Sequence, residues 1–230
     1  MKLANHGGRA ALVLADGIAD VETASDGRFG PDPMAVYADW SAFVDFAAGV
    51  TSSTGPLVEA ELRNPAPSPR QVLAVGLNYR SHAEESGLAV PEMPATFTKF
   101  PTSLTGPFDD LPLVGDTVDW EVELVAVVGE RADHVAEADG WRHIAGLTVG
   151  QDISDRTLQF AAGAQFSLGK SRPGYGPLGP WLVSPDDVGD PDDLALGCSV
   201  DGEVVQHART ADLIFSVPRL VAELSAVLPL

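Results

Sequence analysis

The sequence is poor in cysteine, in lysine and in positive charge. Cys198 is the single cysteine, which excludes an internal disulfide and a cysteine-based zinc site. Its neighbours in "LALGCSVDGE" indicate a buried thiol and not a nucleophile. Lysine and arginine number 14 against 33 acidic residues, giving a net charge of −19. This charge disfavours nucleic acids and anionic membranes as partners, because phosphate groups are bound by clustered basic side chains.

Long apolar runs are missing as well. No stretch reaches the ~18 consecutive apolar residues that a membrane-spanning helix needs. Hydrophobic residues nevertheless make up 45% of the 230 residues, which is enough for a globular core. We therefore expect a soluble, cytoplasmic protein.

Prolines divide the chain into two parts. The stretch "RNPAPSPRQ" (63–71) contains three prolines in nine residues and predicts a stiff, extended linker. We place a domain boundary there, with a small N-terminal α+β domain at 1–66 and the main domain at 67–230.

Local patterns predict a mixed α+β fold that is mainly β. In the first part we expect a hairpin over 9–23, a helix from Asp32 to Gly49 and a strand at 58–62. In the second part the predicted strands are 71–76, 95–100, 118–129, 144–152 and 179–184, with a hairpin over 194–210 and helices at 79–86 and 216–227. Strands and helices do not alternate regularly, which favours a β-sandwich or barrel-like roll over a doubly wound sheet.

The strand "VDWEVELVAVVG" (118–129) carries acidic residues at every second position. Side chains alternate along a strand, so Asp119, Glu121 and Glu123 share one face. Like charges on one face repel, and their burial without a counter-charge costs several kcal/mol. Either this face is solvated, or a cation lies on it, and a divalent metal bound by oxygens is the commonest such cation.

Other polar residues within apolar segments allow two interpretations each. His82 and Glu85 are three positions apart, so on a helix they face the same side. They are either a carboxylate–imidazole pair that activates water or two polar residues of an ordinary surface helix. Asp152 ends an apolar run and is either a metal ligand or a turn cap. Lys99 and Lys170 are two of only three lysines in the chain, which makes a functional role worth testing.

Five motifs in a fixed order resemble the fumarylacetoacetate hydrolase family. They are "VGLNYRSHAEE", "FTKFPTSLTGP", "DWEVELVAVVG", "VGQDISDR" and "FSLGKSRPGYGPLGPWLV", and they cover roughly residues 71–230. Within the family, the chain resembles bacterial members related to 2-keto-4-pentenoate hydratase and 2-hydroxyhepta-2,4-diene-1,7-dioate isomerase. The resemblance implies the family's β-sandwich roll with a small N-terminal domain, and a homodimer.

The resemblance also implies a metal site and a reaction. Glu121, Glu123 and Asp152 are the implied ligands of Mg²⁺, or of Mn²⁺ or Ca²⁺, and small 2-oxo or diketo acids are the implied substrates. The family's chemistry is hydrolysis of a C–C bond in an acylpyruvate-type compound. Isomerases, decarboxylases and hydratases of aromatic and sugar-acid catabolism share the same ligands, and a non-catalytic, metal-binding homologue is a further alternative.

Four other residues receive roles from the resemblance. His82, backed by Glu85, is implied to activate water, and Lys170 to bind substrate and stabilise a developing oxyanion. Lys99 is implied to bind substrate in a weaker, supporting role. Family members usually continue beyond the segment that matches the last helix, so we also expect a C-terminal segment to be missing from this chain.

Overall fold

The computed structural model describes residues 1–85, 87, 89–161, 163 and 165–230. Within these residues the chain forms fourteen strands and five α-helices. The strands are β1 (Lys2–His6), β2 (Arg9–Leu14), β3 (Gly17–Asp20), β4 (Leu62–Arg63), β5 (Leu73–Gly76), β6 (Ala95–Thr98), β7 (Leu104–Thr105), β8 (Val118–Asp119), β9 (Val122–Val128), β10 (Ile144–Gln151), β11 (Ser154–Asp155), β12 (Gly176–Val183), β13 (Ala195–Val200) and β14 (Glu203–Arg209). The helices are α1 (Val21–Ala24), α2 (Trp40–Ala48), α3 (Arg80–Glu85), α4 (Arg156–Ala161) and α5 (Val217–Ser225).

One eight-stranded sheet organises the molecule. Its main path is β3-β2-β1-β12-β10-β9, with β4 paired to β1 and β7 paired to β12. Every pair is antiparallel except β7 with β12. Strand is more abundant than helix, so the predicted mixed, mainly β fold is confirmed.

Two apolar clusters form around this sheet. The first gathers α2, through Trp40 and Phe43, against β1, β2 and Ala145 of β10. The second gathers α5 against Ile144 and Leu147 of β10 and alternate residues of β9. Ile144 and Leu147, three positions apart, share a cluster because the register of β10 shifts between Ile144 and Gly146, as a β-bulge does. Strands β9 and β10 therefore contribute side chains to both apolar clusters.

The sheet crosses the predicted domain boundary. β1 pairs with β2 on one side and with β12 on the other, so both parts of the chain share it. The predicted linker is packed against the protein at its start: Asn64, Pro65 and Ala66 are buried, and Asn5 Nδ2 donates to Asn64 O at 2.9 Å. The division into 1–66 and 67–230 stays a prediction.

Several local predictions are confirmed. The hairpin over 194–210 turns at Asp201 and Gly202, whose φ angles are +52° and +86°. Helix α5 begins after Ser216, which accepts from Arg219 N, and has Pro218 in its first turn. Helix α3 corresponds to the helix predicted near 79–86, although Ser86 lies outside the described residues.

Two predicted strands differ from those observed. The segment predicted as a strand at 58–62 contains a 3-10 helix at Glu59–Glu61, and only Leu62 belongs to β4. The single strand predicted at 118–129 is divided into β8 and β9, with Trp120 and Glu121 between them. The division occurs because β8 pairs with β11 whereas β9 pairs with β10, so the chain changes partner there.

Candidate active site

Two of the three candidate metal ligands meet where β9 approaches the end of β10. Asp152 N donates to Glu121 O at 2.8 Å, which fixes the two residues side by side. Glu123 lies opposite Gly150 in the β9–β10 pair. Asp152 is buried, and the Glu121 side chain is only partly accessible. The sheet register thus collects carboxylates that lie about 30 residues apart in the sequence.

Lys170 joins these carboxylates from a separate segment. Its ammonium donates to Glu121 Oε2 at 2.7 Å, Asp152 Oδ2 at 2.9 Å and Ser154 Oγ at 2.8 Å. A lysine has three donors, and all three are used here. The side chain is only 3% exposed, so this is a buried ion-pair network.

Lys99 binds the other oxygen of Asp152. Its Nζ lies 2.6 Å from Asp152 Oδ1 and also donates to the carbonyl oxygens of Lys170 and Tyr175. Burial lowers the pKa of Lys99, and the charge of Asp152 opposes that shift. Each oxygen of Asp152 therefore faces one lysine. The two scarce lysines lie together, and their role in substrate binding stays a prediction.

Arg156 is a site residue that sequence reasoning missed. Its Nη1 donates to Glu121 Oε1 at 2.6 Å and to Gln159 Oε1 at 3.0 Å. Its Nε and Nη2 both donate to Asp119 Oδ2, at 2.9 and 2.6 Å. Asp119 and Glu121 thus share one face, as the alternation predicts, and the cations on that face belong to Arg156 and Lys170. The available signal was the arginine directly after the "DISD" turn.

Glu123 lacks such a partner. Among the described residues, no hydrogen bond or ion pair is formed by its carboxylate. Burial, together with the negative charges of Glu121 and Asp152, raises the pKa of this carboxyl from 4.5 to about 8. The hydroxyl of Tyr79 is buried and likewise has no hydrogen-bond partner among the described residues; burial raises its pKa, and the charge of Glu123 raises it further. A carboxyl with this pKa is mainly protonated at neutral pH, and a cation bound beside it would favour its carboxylate form.

His82 and Glu85 lie apart from the buried network. Both are on α3 and both are exposed. No hydrogen bond between these two described side chains is observed, although they are three positions apart on the helix. Their role as a water-activating pair stays a prediction.

The carboxylate oxygens of Glu121, Glu123 and Asp152 are the kind of ligand that a hard cation prefers, but their positions in this structure do not form a metal site. Carboxylate oxygens are the ligands that Mg²⁺, Mn²⁺ and Ca²⁺ prefer, and Glu123 is an unneutralised acid beside two others. In the described part of the chain, however, no three His, Cys, Asp or Glu side chains converge closely enough to hold one ion. Lys170 instead lies between Glu121 and Asp152. The assignment of these residues as metal ligands remains a prediction.

Membrane-spanning helices are not found among the described residues, since none of the helices is long and apolar enough to cross a bilayer.

Comparisons with known proteins agree with the motifs. Residues 71–230 match the family profile of the fumarylacetoacetate (FAA) hydrolase C-terminal region. Human (Homo sapiens) mitochondrial oxaloacetate tautomerase FAHD2A is 41% identical over 173 residues, 74% of this chain and 55% of that protein. The chain spans about half the length of this relative.

Solved structures extend the likeness to the whole chain. A protein from Mycobacterium smegmatis assigned as HpcE is 49% identical with a TM-score of 0.92, covering 100% of this chain and 83% of that one. Maleylpyruvate hydrolase from Sphingobium sp. SYK-6, solved with manganese(II) and pyruvate, is 27% identical with a TM-score of 0.79, covering 100% and 84%. On the matched profile, the identities and the shared fold, the chain belongs to the fumarylacetoacetate hydrolase family.

Proposed function

We propose that the protein is a divalent-metal-dependent hydrolase that cleaves a C–C bond in an acylpyruvate-type substrate. The observation that carries the proposal is the buried cluster in which Lys99 and Lys170 bind Glu121 and Asp152 beside Glu123, whose carboxyl forms no ion pair among the described residues. Three carboxyl groups in one cluster suit a metal ion, and the adjacent lysines suit an anionic substrate. The manganese ion and pyruvate in the related maleylpyruvate hydrolase support the same assignment.

Each residue has a defined task in this proposal. Glu121, Glu123 and Asp152 would hold the cation. When bound, the cation would supply positive charge to the carboxylate and keto oxygen of a 2-oxo acid. Once the cation neutralises the carboxylates, Lys170, and more weakly Lys99, would exchange hydrogen bonds to them for bonds to the substrate's oxygens and stabilise negative charge that develops there.

Water activation is assigned to α3. His82 would take a proton from water, and Glu85 would stabilise the resulting imidazolium. Among the described residues, no protein side chain forms a hydrogen bond or ion pair with the His82 imidazole. Addition of water across the C–C bond of acetylpyruvate would release acetate and pyruvate. These two products contain all the atoms of the substrate and the water.

A tautomerase or isomerase of 2-oxo acids is the second candidate. The 41% identity with the human oxaloacetate tautomerase favours it. Both reactions need the same stabilised enolate, so the metal site and the lysines serve either one. A cytoplasmic location and a homodimer, both expected from the sequence, also belong to the proposal.

Two assays on the same protein separate the candidates. With Mn²⁺ or Mg²⁺, pyruvate released from acetylpyruvate is measured by coupled lactate dehydrogenase, and decay of enol-oxaloacetate is followed by ultraviolet absorbance. His82→Ala should abolish pyruvate release, whereas His134→Ala, at an exposed histidine paired with Asp133, should not.

The outcomes decide between them. Metal-dependent pyruvate release that EDTA stops supports the hydrolase. Enol-oxaloacetate decay without pyruvate release favours the tautomerase. If neither reaction occurs in a folded protein that contains metal, the catalytic assignment is wrong and the non-catalytic alternative gains weight.

A further inference from the structure

The segment that precedes α3 is joined to a segment more than 130 residues later in the chain. Asn78 Oδ1 accepts from Phe215 N at 2.8 Å, and Asn78 Nδ2 donates to Phe215 O at 3.0 Å. Ile214 N donates to Asn78 O at 2.9 Å, and Tyr79 forms a β-bridge with Leu213. The base of α3 is therefore fixed through its backbone.

Asp212 continues this junction onto the helix itself. Its Oδ2 accepts from Ser81 N at 3.0 Å and also from the Ser81 hydroxyl. These two bonds hold the pKa of Asp212 below its ordinary value, so the group is a carboxylate at neutral pH. The first N–H groups of a helix have no partner within the helix, and a negative charge there is favourable. Asp212 therefore caps the N-terminal turn of α3, although it belongs to a distant segment of the chain.

Little else orders the helix. Ala83 is fully buried against Ile214 and Phe215, while the remaining side chains of α3 are exposed. A six-residue helix is far too short to be stable alone in water. Among the described residues, Asp212 forms the only side-chain hydrogen bonds to α3 from another segment.

We infer that Asp212 is a positioning residue for His82, acting through Ser81 and the first turn of α3. The inference rests on the proposed function to the extent that His82 acts on water. Asp212 itself touches none of the carboxylates or lysines of the buried cluster. Its loss should therefore disturb the chemical step and leave substrate and metal binding in place.

The test compares Asp212→Ala and Asp212→Asn with Asp193→Ala. Asp193 is a matched control, since its carboxylate binds the exposed Arg209 at 2.6 Å and makes no contact with α3. For each variant we would measure kcat and KM for acetylpyruvate, binding of oxalate in the presence of Mn²⁺, and hydrogen exchange across Arg80–Glu85.

Asp212→Ala should raise exchange across α3 and lower kcat by roughly 5- to 10-fold, because the ordered helix becomes less populated by about the factor that a lost helix cap implies. KM and oxalate binding should change less than about twofold, since the Asn78 junction and the cluster stay intact. Asp212→Asn keeps an oxygen acceptor and should recover part of kcat. Asp193→Ala should match the wild type in every measurement.

Unchanged exchange across α3, or an unchanged kcat, in Asp212→Ala would overturn the inference. A rise in KM, or a weakening of oxalate binding, by the same factor as the fall in kcat would also overturn it. Asp212 would then be supporting the whole site. If the wild type itself turns over neither substrate, the proposed function fails, and hydrogen exchange still decides whether Asp212 orders α3.

Discussion

Replacing Lys170 with methionine tests whether its ammonium balances the buried carboxylates. Methionine keeps the apolar stem and removes the three hydrogen bonds to Glu121, Asp152 and Ser154. Loss of one partner of a buried ion pair typically costs 3–5 kcal/mol. Arg156 still binds Glu121, and Lys99 still binds Asp152, so we expect the lower end, about 3 kcal/mol.

This loss in the free energy of unfolding predicts a lower melting temperature and a stronger response to metal. For a chain of this size, 1 kcal/mol shifts Tm by about 2–4 °C, so Lys170→Met should melt ~6–12 °C below the wild type in EDTA. Mn²⁺ at about 100 times its Kd would return about 2.7 kcal/mol. The metal-induced rise should be larger than in the wild type, because no ammonium competes for the same oxygens.

Thermal unfolding followed by circular dichroism, with EDTA and with Mn²⁺, provides the measurement. Lys2→Met is the matched control, because Lys2 is an exposed lysine that lies over Trp181 and forms no ion pair among the described residues. Its melting should stay within about 2 °C of the wild type. Equal melting of Lys170→Met and wild type in EDTA, or an equal rise of both with Mn²⁺, would refute the reasoning.

Three further substitutions have defined outcomes. Gly169→Ala would place a Cβ 2.4 Å from Gln159 N, so urea unfolding should show a loss of about 1–3 kcal/mol; an unchanged midpoint would mean that this backbone yields easily. Glu123→Gln removes the carboxylate that burial disfavours, so Tm in EDTA should rise and the response to Mn²⁺ should vanish; a retained response would remove Glu123 from the ligand set. The ion pair with Arg9 lowers the pKa of Asp20 from 3.8 to about 2, so its stabilisation is present above pH 3.8 and lost as the pH falls towards 2. Arg9→Gln should therefore lower the urea midpoint at pH 7 and change it little at pH 2; an equal shift at both would exclude the ion pair as the cause.

Elements that depend on local signals could be predicted from the sequence. The hairpin turn at Asp201 and Gly202 and the first turn of α5 follow from residues that favour those conformations whatever surrounds them. The alternation of Asp119 and Glu121 on one face is also a local property, and Arg156 binds both.

Elements that depend on distant partners could not be predicted in this way. β1 lies inside the main sheet, yet its five residues carry no pattern that distinguishes them from an exposed turn or a short edge strand. Arg156 reaches Glu121 only because β11 and β10 bring its segment beside β8 and β9. The outside cap on α3 is of the same kind, since Ser81 and Asp212 are 131 positions apart.

The position of β1 also determines when the fold can be completed during synthesis. β1 and β2 can pair as soon as they leave the ribosome, and β4 can then cover the other edge of β1 at Asn5 and His6. The rest of that edge, Lys2–Ala4, stays open until β12 has been made at Gly176–Val183. At the usual 5–20 residues per second, this wait lasts on the order of 10–35 s. An unpaired inner edge can bind another nascent chain. Chaperone demand during translation should therefore centre on β1, far in sequence from the residues assigned to catalysis.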